Sequence, residues 1–487
     1  MQVLNCCIHI SILQPKKEDL VIRIKPMIIQ TFEAVPKLHF MKTSACLTAV
    51  LLLLLNSCTT ISSSQPITVM KGVTLIDGTE NEPVRNVSLV IKGDVIDAVL
   101  PAGTALPENA TITDYTGKFV IPALINGHCH VGLLKGDNGS PNNYTRDNIL
   151  RHLLKYEQYG ISRVLCMGTD QEIIFPIRDS SQKGLLPGAT IYTAGYGITG
   201  NNAPSANLSP KIMQPKTVEE GIKDVDELAL LQPDFVKLWV DDFNGTTKKM
   251  DPEIYTAVIR EAHRKGLRVA AHLYYLDDAK RLVNAGVDVI AHSIRDKEVD
   301  DELINAMKQK GVYYIPTLSL DDYNVVFADD PTWVNDPFFK NSLEPGVWER
   351  LTSAGYKQQL AKDPALAQKK AALAIAMRNV KKLADAGIVI VLGTDSGAQP
   401  VRTQGFSEHL ELQLMTETGL TPMQVIVAAT QNGAKLLGIN NTCGTLQKGM
   451  KADFMMLNGD PLKDIKQTRN LAAVYKDGKK VGNGVGK

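Results

Sequence analysis

The middle of the chain alternates short apolar runs with longer stretches of helical periodicity. The apolar runs are Val120–Ile125, Arg163–Met167, Thr190–Ala194, Phe235–Val240, Arg268–His272, Val287–His292, Val312–Pro316 and Ile388–Gly393. Helical patterning falls between them, at Asp147–Tyr159, Pro252–Lys265, Ala279–Ala285 and Asp301–Lys310. Such alternation predicts an α/β fold with a parallel sheet. Eight strand–helix units over roughly 300 residues fit a (β/α)₈ TIM barrel. The stretch from Leu320 to about Pro364 reads as an insertion after the seventh strand, on the face where such barrels carry function.

The two ends read differently. Residues 67–121 break into short strands and turns, with a hairpin around Gly93-Asp94 inside Ser88–Ile96. The same style returns at Ala452–Leu457 and at Leu471–Tyr475, which leads into Lys476-Asp477-Gly478. We therefore expect a small β-sandwich built from 66–121 and 441–487 around a catalytic domain at 122–440.

Residues 1–57 stand apart. From Met41 a lysine at 42 precedes the apolar run Ala49–Leu55, too short for a mature membrane span and suited to a secretory signal. Leu55-Asn56-Ser57-Cys58 resembles a bacterial lipobox, which implies cleavage before Cys58 and its lipidation. The expectation is an exported lipoprotein of the bacterial cell envelope or periplasm, anchored to the outer membrane, with translation starting at Met41 and not Met1.

Composition narrows the classes. Apolar residues make 44% of the 487 and charged residues 22%, as in ordinary globular proteins. A net charge of +1 argues against a nucleic-acid binder. The seven cysteines show neither zinc-knuckle nor redox spacing, so no disulfide framework is expected.

The candidate chemistry sits where barrel strands end. His128 and His130 flank Cys129 in an extended segment, so both imidazoles face one side and the thiol the other. Lys237 lies in the fourth predicted strand, His272 ends the fifth, His292 the sixth and Asp395 the eighth. Barrel enzymes place catalytic groups at these C-terminal ends. Imidazoles with a carboxylate suit Zn²⁺, Fe²⁺, Mn²⁺ or Co²⁺. Lys237 admits two readings. Its ammonium pairs with a carboxylate, or its neutral amine takes up CO₂ and the carbamate bridges two ions. His152 and His263 read as packing or surface histidines, and His409 as support for the site.

These residues resemble the amidohydrolase superfamily, in its imidazolonepropionase-related branch with metal-dependent dipeptidases. The resemblance spans about 67–485. It rests on Ile121-Pro-Ala-Leu-Ile-Asn-Gly-His-Cys-His130, Asp234-Phe-Val-Lys-Leu-Trp239, Val269-Ala-Ala-His272, Ala291-His-Ser293, Gly311-Val-Tyr-Tyr-Ile-Pro-Thr317 and Leu392-Gly-Thr-Asp-Ser396. It implies one divalent ion on His128, His130 and Asp395 and a second on His272 and His292, zinc being the first expectation. Carboxylated Lys237 and a hydroxide would bridge them. Asp395 would act as base and then acid, His292 would orient the oxyanion, and Tyr274 would contact substrate. Two departures bear on substrate. Asn126 stands where the family often has aspartate. The loop Gly197–Pro204 lacks the Gly-Gly-His of many dipeptidases in the branch.

The implied activity is hydrolysis of an amide bond in a small substrate, such as a dipeptide or N-acyl amino acid. A cyclic amide, imidazolone or lactone ring is the alternative. A surface lipoprotein that binds ligand without turnover is the second. Expected partners are the small-molecule substrate, a membrane through the lipid anchor, and in one reading a second copy of the chain. Arg295 and Asp296 follow the sixth strand and read as a solvated loop pair or as groups that reach substrate.

Overall fold

The computed structural model describes residues 65–482. The signal segment and Cys58 lie outside the described residues. Strands from both ends of the chain share one hydrogen-bonded sheet of eight. Its order is Lys479–Gly482, Leu471–Lys476, Phe454–Leu457, Phe119–Pro122, Ile67–Leu75, Val84–Lys92 and Val95–Leu100, with Thr111–Asp114 also paired to Ile67–Leu75. The two ends meet where Phe454 to Leu457 run antiparallel to Pro122 to Phe119. The turn at Gly93-Asp94 closes a hairpin, as the sequence predicts. At the other end Asp477 (φ 47°) and Gly478 (φ 72°) are both left-handed, the geometry that two-residue hairpins require. This sheet buries its own apolar cluster, in which Phe454 stacks on Tyr475 at 4.6 Å.

The middle of the chain forms two parallel sheets. Five strands run in the order Tyr313–Ile315, Val289–Ala291, Arg268–His272, Phe235–Trp239 and Ile198–Thr199; three run Leu124–Cys129, Ile161–Cys166 and Thr190–Thr193. The eighth predicted strand is not a regular one. Residues 388–396 touch both sheets through single parallel bridges, Tyr314 to Ile390 and Cys129 to Ser396. The backbone bonds alternate between the two neighbours: Val391 N–H donates to Tyr314, Gly127 N–H to Leu392, and Thr394 N–H to His128.

The first predicted strand, Val120–Ile125, is in fact two. Phe119–Pro122 belongs to the terminal sheet and Leu124–Cys129 to the parallel one. The stretch is apolar throughout, so periodicity carries no mark of the switch. It falls at Ala123, directly after Pro122, which has no N–H to continue a ladder.

The predicted helices are present with small shifts: Arg146–Gln158, Pro252–Arg264, Leu276–Ala285 and Asp301–Lys310. The last is capped by Asp300 at one end and left-handed Gly311 at the other, as helix termini prefer. Among the described residues no helix is long and apolar enough to cross a membrane.

The insertion after the seventh strand folds into short helices, among them Leu318–Tyr323, Val347–Thr352 and Ala354–Ala361. An aromatic cluster holds it down: Trp333 packs on Phe339 at 4.7 Å and on Phe406 at 4.9 Å. Glu344 pins it to the helix Arg146–Gln158 through Arg151 (2.7 Å) and Lys155 (2.8 Å). Burial alone would raise the Glu344 pKa. The Arg151 hydrogen bond and the Lys155 charge outweigh it and hold the group at about 2.

Two stability predictions follow from these pins. Arg163, on a parallel strand, is buried against Asp453 of the terminal segment at 2.5 Å. Asp453→Ala leaves a buried guanidinium unpaired and should cost about 3–5 kcal/mol, read as a lowered urea midpoint. Replacing both partners with apolar residues should recover much of that loss. Glu344 ionises more readily folded than unfolded, so its contribution is present above its ordinary pKa of 4.5 and fades as pH falls towards about 2. Glu344→Gln should therefore flatten the stability profile across that window.

Candidate active site

Two backbone segments build the centre, Leu124–His130 and 392–397. They approach closely because glycine faces the histidines on both sides of Asp395. A Cβ on Gly393 would fall 2.9 Å from that of His128, and one on Gly397 (φ +87°) would fall 2.0 Å from the His130 carbonyl oxygen. The approach brings three donors to one point. Oδ1 of Asp395 lies 3.2 Å from His128 Nε2 and 2.9 Å from His130 Nε2. Oδ2, the other oxygen, accepts from Arg402 Nη1.

His292 completes the cluster. Its ring lies 4.5 Å from that of His128 and 4.5 Å from that of His272. Ligand atoms of His128, His292 and Asp395 all fall within 4.8 Å of one another, a spacing an ion can bridge. Burial, followed by the Lys237 charge, lowers the His128 pKa to about 3, so its imidazole is neutral and can donate a lone pair. Burial lowers His272 and His292 as well. Burial would raise Asp395, yet its contacts with His128 and His130 and the Arg402 charge bring it well below the ordinary range. The carboxylate is ionised and the imidazoles are neutral, the state that metal binding needs.

Lys237 is fully buried and its Nζ has no hydrogen-bond partner. The carboxylate pairing open from sequence is therefore not made as a direct contact. Burial lowers its pKa to about 7, against the raising effect of Asp395. An orphaned amine beside neutral imidazoles is costly unless something else completes it. His128 Nδ1 is likewise unpartnered.

The other metal-candidate histidines have partners that orient them. His130 Nδ1 lies 2.9 Å from Thr169 Oγ1, His272 Nε2 lies 2.8 Å from Asp241 Oδ2, and His292 Nδ1 lies 2.9 Å from Thr317 Oγ1. Outer partners of this kind fix ring orientation and tautomer in metal sites. The backbone is strained here. Thr169 (φ 68°), His292 (81°), Thr317 (50°) and Asp395 (56°) are all left-handed, each at a typical cost of about 1–3 kcal/mol.

Behind the centre, the helix Phe406–Glu417 supplies two buried carboxylates. Glu408 gathers Asn126 Nδ2 (2.7 Å), Thr394 Oγ1 (2.8 Å), Ser396 Oγ (2.7 Å) and the Gly405 N–H (2.7 Å). Asn126 in turn accepts from the His128 N–H. Asn126 is thus part of the clamp between the two segments. Glu411 accepts from the Leu318 and Ser319 N–H groups and fixes the start of the insertion.

The structure brings together His128, His130, Lys237, His272, His292 and Asp395, and it sorts the remaining candidates. Tyr274 is half-buried, with the Arg295 guanidinium 4.7 Å from its ring. Arg295 is not solvated: it is buried and paired with Asp321 at 3.2 Å. Asp296 accepts from the Leu276 N–H. Cys129 turns into the core beside Cys166, as strand alternation predicts. His152 is buried and accepts from the Gly132 N–H, whereas His263 is a surface partner of Asp288. His409 does not support the centre; it ties the Tyr159 carbonyl to Thr468. Thr169, Asp241, Arg402 and Glu408 escape a reading of sequence, because nothing local distinguishes them. Thr317 closes a motif already noted above.

Neutral imidazoles, an ionised carboxylate and an orphaned lysine gathered from the parallel strands and the segments that follow them define a metal-binding enzyme centre in an α/β protein. The chain belongs to the amidohydrolase family, whose sequence model matches residues 119–481. It is 26% identical over 468 residues to ochratoxinase of Aspergillus niger, covering 86% of this chain and 88% of that enzyme. It is 22% identical over 398 residues to a 5-methylthioadenosine/S-adenosylhomocysteine deaminase of Acetivibrio thermocellus, covering 76% and 80%. Its fold matches that of a Xaa-Pro dipeptidase crystallised with methionine in its active site, at a TM-score of 0.68, 24% identity and 85% and 99% coverage. The chain is thus a hydrolase acting on carbon–nitrogen bonds.

The Glu408 clamp is testable. Glu408→Ala strands the Asn126 amide and two hydroxyls in the interior, at about 1–3 kcal/mol for each group left unpaired. Thermal unfolding should shift downward for Glu408→Ala and by much less for Glu408→Gln, which keeps an acceptor oxygen.

Proposed function

We propose that the chain hydrolyses the amide bond of a small substrate, such as a dipeptide or N-acyl amino acid, at a centre for two divalent ions. The observation that carries this reading is the meeting of His128, His130 and Asp395 beside His292, His272 and the unpartnered Lys237. His128, His130 and Asp395 would hold one ion and His272 and His292 the other. Lys237, carrying a carbamate, would join them. Zinc is the ion that this donor set suits first. We read the three-stranded sheet, the strands Phe235–Trp239, Arg268–His272, Val289–Ala291 and Tyr313–Ile315 of the other, and residues 388–396 as one eight-stranded (β/α)₈ barrel, with the two-residue strand Ile198–Thr199 as an addition at its edge. The single bridges on both sides of residues 388–396 support that closure. In the same reading 66–121 and 441–487 form the companion β-domain, and Cys58 carries a lipid anchor in the envelope.

Ions bound here supply Lewis acidity, which polarises a carbonyl and lowers the pKa of water. The side chains do the rest. Asp395 takes a proton at Oδ2 and returns it to the leaving nitrogen. Arg402 donates to one lone pair of that oxygen, and the other is left to take the proton. His292, held by Thr317, would orient the developing oxyanion. Tyr274, with Arg295 over its ring, would contact substrate.

The resemblance to a deaminase, together with the absence of a histidine in Gly197–Pro204, keeps ring hydrolysis as a second reading. A panel of dipeptides and N-acyl amino acids, run beside cyclic amides, imidazolones and lactones with ion analysis, separates the two. Turnover on the acyclic panel is expected. Turnover confined to rings shifts the assignment, and ion uptake with no turnover on either panel leaves a ligand-binding lipoprotein. Asp395→Asn should abolish hydrolysis without unfolding the chain, and surviving activity would remove Asp395 as the proton carrier.

A further inference from the structure

Thr169 and Thr317 occupy parallel positions in the site. Thr169 follows the strand Ile161–Cys166 and Thr317 follows Tyr313–Ile315. Both are fully buried. Both have left-handed backbones, φ 68° and φ 50°. That conformation is disfavoured for a β-branched residue, and glycine or asparagine would adopt it far more easily. Each side chain makes the same contact, Oγ1 at 2.9 Å from the Nδ1 of a histidine. The strained backbone thus delivers a hydroxyl to the rear nitrogen of His130 in one case and of His292 in the other.

The hydroxyl is a particular choice of partner. His272 meets the carboxylate of Asp241, which can only accept. A threonine hydroxyl is neutral and can turn to accept from Nδ1–H whenever Nε2 gives its lone pair away. In His130, Nε2 is the atom aimed at Asp395. We propose that Thr169 and Thr317 are positioning residues, one for each ion, that hold His130 and His292 as Nδ1–H tautomers with Nε2 free to bind metal. The inference rests on the two-ion reading above and deepens it by assigning the tautomer and its cause.

The test uses full-length Thr169→Val, Thr317→Val and the two serine variants. Valine keeps the branch and the backbone cost but loses the hydroxyl; serine keeps the hydroxyl. Zinc affinity is read by chelator competition, and ion stoichiometry and the visible spectrum of the cobalt-loaded protein accompany it. Each valine variant should weaken one ion of the pair by about 10–100-fold, and each serine variant should stay close to wild type. Wild-type zinc uptake with unchanged valine variants, or serine variants as weak as valine, overturns the inference alone. Wild-type protein that takes up no zinc overturns the two-ion reading and the inference with it. Should the valine variants fail to fold, ¹⁵N histidine spectra of zinc-loaded wild type decide: metal on Nε2 with the proton on Nδ1 at both rings supports the assignment, and metal on Nδ1 at either ring ends it.

Discussion

The centre depends on one contact above all, the meeting of two imidazole nitrogens on a single oxygen of Asp395. His128 and His130 come from one segment and Asp395 from another more than 260 residues further on. Their separation in space is set by backbone, through the bonds from Thr394 and Asp395 N–H to the His128 carbonyl and from His130 N–H to the Ser396 carbonyl. No side-chain adjustment could substitute for that register. Moving either segment by one residue would turn the histidines to the opposite face.

Electrostatics then follows from burial. Desolvation keeps the imidazoles of His128, His272 and His292 neutral, while the same desolvation makes an ionised Asp395 expensive unless charge and hydrogen bonds surround it. Arg402 on the second oxygen supplies part of that compensation. Lys237 has the charge of Asp395 nearby but no hydrogen bond. The centre is arranged for cations it must recruit, with its anion prepared and its lone pairs exposed. The left-handed residues fit the same account, since strain persists only where surrounding structure over-determines it.

Much of the arrangement is legible in the sequence. The alternation of apolar runs and helices marks the parallel strands, and the strand ends mark five of the six candidate ligands, with Lys237 inside its strand. What escaped has a common cause. Val120–Ile125 hides a change of sheet inside an unbroken apolar run, so composition cannot mark it. Residues 388–396 look like a strand, yet they share their backbone bonds alternately between two neighbours and form only bridges. Thr169, Asp241 and Glu408 act through space, at partners 39, 31 and up to 282 residues away. Arg295 looked like a loop charge because its partner, Asp321, belongs to the insertion.

Glu408 shows how fold and chemistry are joined. Its carboxylate touches none of the candidate ligands, yet it binds groups on either side of both ligand segments: Asn126 before the histidines, Thr394 and Ser396 around Asp395. Burial raises its pKa, and the hydroxyl and amide donors pull it back. A fully satisfied buried network of this kind specifies one arrangement, because any other leaves polar groups unpaired. Asn126 is suited to that place. Its amide donates to Glu408 while its carbonyl oxygen accepts from the His128 N–H. Asn126 and the buried glutamate are therefore two halves of one clamp, and it carries the register on which the histidine–aspartate meeting depends.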